Sequence, residues 1–231
     1  MTAIRRSQQD AVIARTLSIA GAALAALALA ACGGSSDKST TARTATAQRP
    51  PSAQASPSNP AAAAGLDAHV LKDGDLPGFT AQVIRAGTTP DEWAQAENLP
   101  PEQQAKEAAK IKRLGFVSGL SEQLASSNGT PVQALSLVER FRSPAAANQE
   151  LAHQIQSSKA SGGYKAFPVP GIPGARGFDG SDGQSSGHNV AFTDGVYYHL
   201  VGAGWPTGTP NPPTRAKVIS AAQRLYRRVH R

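Results

Sequence analysis

A single cysteine, Cys32, occurs in 231 residues. An intrachain disulfide is therefore excluded, and so is a zinc site built on several thiolates. Charge is sparse, at 17% of residues, while Ala, Gly, Pro, Ser and Thr are plentiful, which suits an exported chain with a flexible stretch. Residues 33–64 contain no Leu, Ile, Val, Phe, Trp or Tyr. Such a segment buries too little apolar surface to offset its ordering entropy, and is expected to be a disordered tether with a reach of about 30 Å. The uncharged run Leu17–Ala31 has 15 residues, short of the roughly 20 that a membrane-spanning helix needs.

The formal charge of +7 divides along the chain. Residues 1–31 and 32–64 each carry a net +2, and residues 65–231 hold 17 basic against 14 acidic groups. The folded part is only mildly basic and lacks the dense basic face that nucleic-acid binding requires, so no nucleic-acid partner is expected.

A charged start, an apolar run and small residues at its end form the layout of an export signal. The run closes on Leu29-Ala30-Ala31-Cys32, which resembles the lipobox of bacterial lipoprotein signal peptides. The resemblance implies cleavage before Cys32, acylation of its thiol, and attachment of the mature chain to the extracytoplasmic face of the cell membrane through its N-terminal lipid. Each buried acyl methylene contributes about 0.8 kcal/mol, and two chains suffice for stable anchoring. Ser7-Gln8-Gln9 after Arg5-Arg6 departs from the twin-arginine pattern, so general secretion is expected. The organisation read from the sequence is a signal peptide over 1–31, a lipidated cysteine and tether over 32–65, and one domain over 66–231.

Within 66–231 the elements announce themselves by their ends. Phe79, Ala81 and Val83 alternate as in a strand. Thr89-Pro90-Asp91-Glu92 combines a cap, an N1 proline and a capping-box glutamate. A second helix is expected from Glu102 to about Arg113, with strands around Phe116–Leu120 and from Val132 to Phe141, after a turn at Asn128-Gly129. Ser143-Pro144 opens a helix with the stripe Ala147, Leu151 and Ile155. Residues 169–177, rich in Pro and Gly, read as a stiff connector. Asp194-Gly195 predicts a type I′ hairpin that opposes Val190 to His199 and His188 to Val201. A final helix after Pro213 carries Val218, Ile219, Ala222, Leu225, Tyr226 and Val229 on one stripe. The pattern predicts an α+β domain, an antiparallel sheet with helices packed on one face.

No residue set makes a convincing catalytic centre. Gly183-Gln184-Ser185-Ser186-Gly187 matches G-x-S-x-G, but that motif needs a strand, a sharp turn and a helix to present its serine, and here it sits in a polar loop. His188 and His199 are expected as diagonal neighbours across the hairpin, two ligands where zinc wants three or four; no metal and no cofactor is implied. Asp179, Asp182 and Asp194 lie at expected turns, with spacing unlike a calcium loop. Arg176, in its glycine-rich setting, offers a guanidinium to an anion. Trp205, with Trp93, Tyr197 and Tyr198, fits either an apolar pocket or the core. Arg176, His188, His199 and Trp205 are the candidate binding residues.

The segments VPGIPGARGF and NVAFTDGVYYHLVGAGW resemble parts of uncharacterised actinobacterial envelope lipoproteins, some of which have a PsbP-like α+β fold. That resemblance covers about the last 65 residues and implies no catalytic residues. The first functional reading is a tethered binding or interaction module of the cell envelope, holding a small ligand, a cell-wall polymer or another envelope protein. The alternative is a hydrolase using Ser185 with His188 or His199. A third is adhesion to cell-wall material through Arg224, Arg227 and Arg228 of the last helix.

Overall fold

Each helix begins where its capping chemistry places it. In the computed structural model, which describes residues 64–97, 99–161 and 163–230, Thr89 and Glu92 form a reciprocal capping box at the start of α1 (Pro90–Ala96). Glu92 bonds the Thr88 and Thr89 backbone N–H groups, and these bonds pull its carboxyl below the usual range. α2 (Pro101–Leu114) ends on Gly115 in the left-handed region. Ser143 caps α3 (Pro144–Ala160) with proline at its first position. Thr214 caps α4 (Arg215–Val229). Cys32, the lipobox residues Leu29, Ala30 and Ala31, and the tether up to residue 63 lie outside the described residues.

The strands are β1 (Phe79–Gly87), β2 (Phe116–Ser126), β3 (Gln133–Phe141), β4 (Lys165–Phe167), β5 (Arg176–Ser181), β6 (Ser185–Asp194) and β7 (Tyr197–Pro206). They form one antiparallel sheet in the order β1-β2-β3-β7-β6-β5-β4. The fold is α+β, as the pattern predicts. Asn128 makes the turn between β2 and β3 by accepting the Thr130 N–H on its side chain. The connector ahead of β5 docks Ile172 into the core, and β5 begins at Arg176, inside the segment read as connector.

The helices do not share one face. α1, α2 and α3 bury Trp93, Ile111, Ala146 and Ala147 with Leu137, Ala191, Tyr198 and Leu200. α4 lays Val218, Ala221, Ala222 and Leu225 on the other face, against Val190, Phe192, Val201 and Ala203. The central strand β7 is therefore buried along its length from Tyr198 to Trp205. Alternation tells which residues of a strand point the same way, but not whether the second face is covered as well.

The last hairpin also differs from expectation. Its two central residues are Gly195 and Val196, with Asp194 opposite Tyr197. Gly195 has φ 56° and Val196 is not in the left-handed region, as in a type II′ turn, which spares the β-branched valine a positive φ. Val190 thus faces Val201, Phe192 faces His199, and His188 faces Ala203. A slip of two residues preserves the faces while changing every partner. His188 and His199 are not diagonal neighbours: Ala203, opposite His188, lies four residues along β7 from His199, about 13 Å.

Candidate functional site

The site forms where a large side chain is let into the sheet. Gly87 and Gly119 stand opposite each other across β1 and β2. A Cβ on Gly119 would come within 2.7 Å of the Trp93 ring, and one on Gly87 within 2.8 Å of the Trp93 backbone. This dent seats α1 and buries Trp93 completely, with its ring stacked on Phe116 at 6.1 Å. A buried indole N–H needs an acceptor. Trp93 Nε1 donates to Glu139 Oε1 at 2.7 Å. Glu139 lies in β3, fully buried, on the same side of the sheet as Leu135 and Leu137.

Beside this pair a small cleft opens between the end of α1 and α3, over β3 and β7. It is lined by Glu97, Leu135, Leu137, Glu139, Gln154, Tyr198 and Leu200, and its volume is about 40 Å³. Its floor is two cross-strand pairs, Glu139 with Tyr198 and Leu137 with Leu200. Glu97, which ends α1, and Gln154 of α3 complete the wall. The cleft thus combines two carboxyl groups, a phenol and an amide with three leucines, an apolar enclosure with a few polar groups that fix orientation.

α3 meets the sheet along a line the sequence does not advertise. Its fully or nearly buried positions include Glu150, Gln154 and Ser158 at four-residue spacing, whereas Leu151 and Ile155 of the expected stripe are only partly buried. The polar line is tolerated because its groups find partners: Lys110 Nζ of α2 reaches Glu150 Oε1 at 2.9 Å, and Ser158 Oγ donates to the Gln154 carbonyl at 2.8 Å.

Two candidates from the sequence meet on the opposite face. His188 and Trp205 contact edge to face at 4.9 Å. His188 Nδ1 lies 2.7 Å from Asp179 Oδ1, and Arg215 at the start of α4 grips both oxygens of Asp179 while covering the Phe167 ring. Partial burial pushes the Asp179 carboxyl up, but the hydrogen bonds from Arg215 and His188 outweigh it and leave it below its ordinary range. Asp179 is therefore a strand residue joining β5, β6 and α4 rather than a turn residue. Asp182 does serve the turn, accepting the Gln184 and Ser185 N–H groups.

His199 is elsewhere on that face, fully buried and stacked on Phe192 at 4.6 Å. Its Nδ1 faces the His69 carbonyl at 3.2 Å, so the proton resides on Nδ1. Burial, together with the nearby His69, lowers its pKa to about 3. His69 is sandwiched between Tyr197 at 4.0 Å and His199 at 5.6 Å and is also lowered, chiefly by burial. Arg176 is exposed at the start of β5, its NH1 near the Ala175 carbonyl, apart from His188, His199 and Trp205. Among the described residues no group of three or more His, Cys, Asp or Glu side chains is placed to hold a metal.

Ser185 opens β6 three positions before His188, an odd offset, so the two point to opposite faces. A strand, not a helix, follows it. Of the three arginines Arg224, Arg227 and Arg228 on the last helix, Arg227 is exposed and the other two are engaged within the fold. Arg224 donates to the Gly74 and Asp75 carbonyls. Arg228 donates to the Ala68 and Val70 carbonyls and pairs with Asp75. Both clamp the segment that leads in from the N-terminal side.

Of the aromatic residues expected in a pocket, Tyr198 lines the cleft and Trp93 secures its floor, while Trp205 and Tyr197 lie on the far face. Glu139 and Gln154 were not singled out by their sequence context. The only available signal was Glu139 itself, a lone carboxyl within the otherwise strand-like run Val132–Phe141.

No family model matches the chain, and no curated protein matches it. Among solved structures it is similar to the extracellular domain of PknH from Mycobacterium tuberculosis, with 10% identity and a TM-score of 0.48 over 71% of this chain and 95% of that one.

Proposed function

We propose that this protein is a lipid-anchored, extracytoplasmic binding module that takes a small ligand into the cleft between α1 and α3. The anchor rests on Leu29-Ala30-Ala31-Cys32. The binding reading rests on one observation: Glu139 and Tyr198, both buried, form a polar floor beside the Leu137–Leu200 pair in a cleft walled by Glu97 and Gln154. An apolar enclosure with a few polar groups that can fix orientation is the usual make-up of a small-ligand site. The hydrolase reading is disfavoured by Ser185, which faces away from His188 and lacks the strand-turn-helix setting its motif needs.

Two experiments test this. Metabolic labelling with a fatty acid should mark the wild type and not a Cys32→Ala variant, and the variant should leave the membrane fraction; a variant that stays membrane-bound would refute the anchor. Native mass spectrometry of the full-length protein purified from its host membrane should show a reproducible small-molecule adduct that is lost in Tyr198→Phe,Glu139→Gln. Persistence of the adduct in that double variant would move the ligand away from the cleft.

A further inference from the structure

Away from the cleft, we infer that residues 66–76 form an acid-releasable strap, latched to the α4 side of the sheet by a ring stack in which His69 and His199 each keep a buried nitrogen without a partner.

The strap buries Leu66 and Val70 with Ala86, Leu120 and Val138, and Leu71 and Leu76 with Leu124 and Val132. Its Leu71 N–H donates to Ser136 Oγ of β3 at 2.9 Å. One 3₁₀ turn, Asp67–His69, lays the His69 ring between Tyr197 and His199 of β7. The His69 carbonyl accepts the His199 Nδ1–H, and the far side of the His199 ring rests on Phe192 of β6. His199 is thus enclosed between the strap and the sheet, and lifting the strap removes both its cover and its hydrogen bond.

Among the described residues, His199 Nε2 and His69 Nδ1 are buried with no hydrogen-bond partner. A phenylalanine ring at position 199 would stack on Phe192 without leaving a polar atom unpaired, so the histidine costs stability and offers a place for a proton. Protonation there creates an N–H with no acceptor and a charge inside the stack. It also sets that charge near two cations: Arg140 of β3, and Arg228 of α4, which donates to the Ala68 and Val70 carbonyls on either side of His69. Asp67 of the strap and Asp194 of β6, itself paired with His230, act the other way on His69. Burial is the larger effect, and it holds both histidines below their ordinary range. Glu122 of β2, near Lys72 and Asp73 of the strap, is pushed up by burial and therefore opposes release. In the opened strap both imidazoles regain the ordinary pKa of about 6.5. Below that value each one raises the open population about tenfold per pH unit, until the pH nears its value in the closed state.

The test is amide exchange of full-length protein in a non-ionic detergent at pH 7.5 and 5.5, each rate divided by the intrinsic rate at that pH. Protection of the Leu71 amide should fall about tenfold or more over this interval, and at both pH values it should lie well below that of Val201 in β7. In His69→Phe,His199→Phe the fall should shrink to less than about threefold. Should that variant not fold, His199→Phe alone takes its place, with a fall about tenfold smaller than in the wild type. Leu71 protection independent of pH, or an undiminished fall in the variant that folds, would overturn the histidine latch. Equal protection of Leu71 and Val201 at both pH values would show that residues 66–76 leave only with the whole domain, and would overturn the strap.

Discussion

The indole N–H of Trp93 donates to Glu139 Oε1 across 46 residues of sequence, joining α1 to β3 in a place with no solvent. The donor is neutral and the acceptor acidic, and both are fully buried. Glu139→Leu should orphan the indole and lower stability by about 1–3 kcal/mol, while Glu139→Gln, which keeps a carbonyl acceptor, should cost less. Urea denaturation of both variants decides this; an equal loss in the two would show that the hydrogen bond is not what matters.

Gly119 makes room for that tryptophan. Gly119→Ala places a methyl within 2.7 Å of the ring and should destabilise by about 1–3 kcal/mol through overpacking. Trp93 fluorescence should shift as α1 moves outward. An unshifted spectrum with wild-type stability would mean the dent is not needed.

His199 gives the protein an acid limit. Its pKa in the folded chain is lowered to about 3 by burial and the neighbouring His69, against about 6.5 when unfolded. The unfolded state then binds more protons between those values. The His199 contribution is complete above about pH 6.5 and declines as the pH falls towards 3, with a slope of about 1.4 kcal/mol per pH unit. His69 is shifted in the same direction. Urea midpoints measured from pH 7.5 to 4 should fall accordingly, and His199→Phe should flatten the fall. A midpoint independent of pH over this range would contradict the assignment.

Arg224, Arg227 and Arg228 resemble one another in sequence and differ in the fold. Arg228→Ala removes two hydrogen bonds to backbone carbonyls and the pair with Asp75, at a cost of about 1.5–3 kcal/mol. Amide exchange over residues 68–75 should accelerate. Exposed Arg227→Ala should change stability by no more than about 0.5 kcal/mol. Equal effects of the two substitutions would restore the reading of the helix as a solvated basic face.

Asp179→Asn weakens the grip of Arg215 and His188 on the corner of β5, β6 and α4. Because the Asp179 carboxyl lies below its ordinary range, its stabilising effect is present above the ordinary carboxyl pKa of about 3.9 and is lost as pH falls through its own, lower value. The variant should therefore have a lower Tm at pH 7, and the difference from wild type should shrink under strong acid. A difference that persists unchanged in strong acid would assign the effect to something other than the charge.

The sequence by itself determined what is encoded over a few neighbouring residues. Thr89-Pro90 with Glu92, Ser143-Pro144 and Thr214 begin helices because a cap satisfies backbone donors only one turn away. Val218, Ala222 and Leu225 of α4 were legible as core because period alone places them on one face. Tertiary structure decided what depends on distant partners. Period can show that Tyr198 and Leu200 share a side of β7, but not that helices cover both sides of the sheet. Glu139, Glu150 and Gln154 read as surface residues, since a polar side chain is tolerated inside only where a partner such as Trp93 or Lys110 arrives from elsewhere in the chain. His188 found Asp179, and not His199, because the hairpin turns on Gly195-Val196 rather than Asp194-Gly195, and the two-residue change of partners is fixed by pairing with the rest of the sheet.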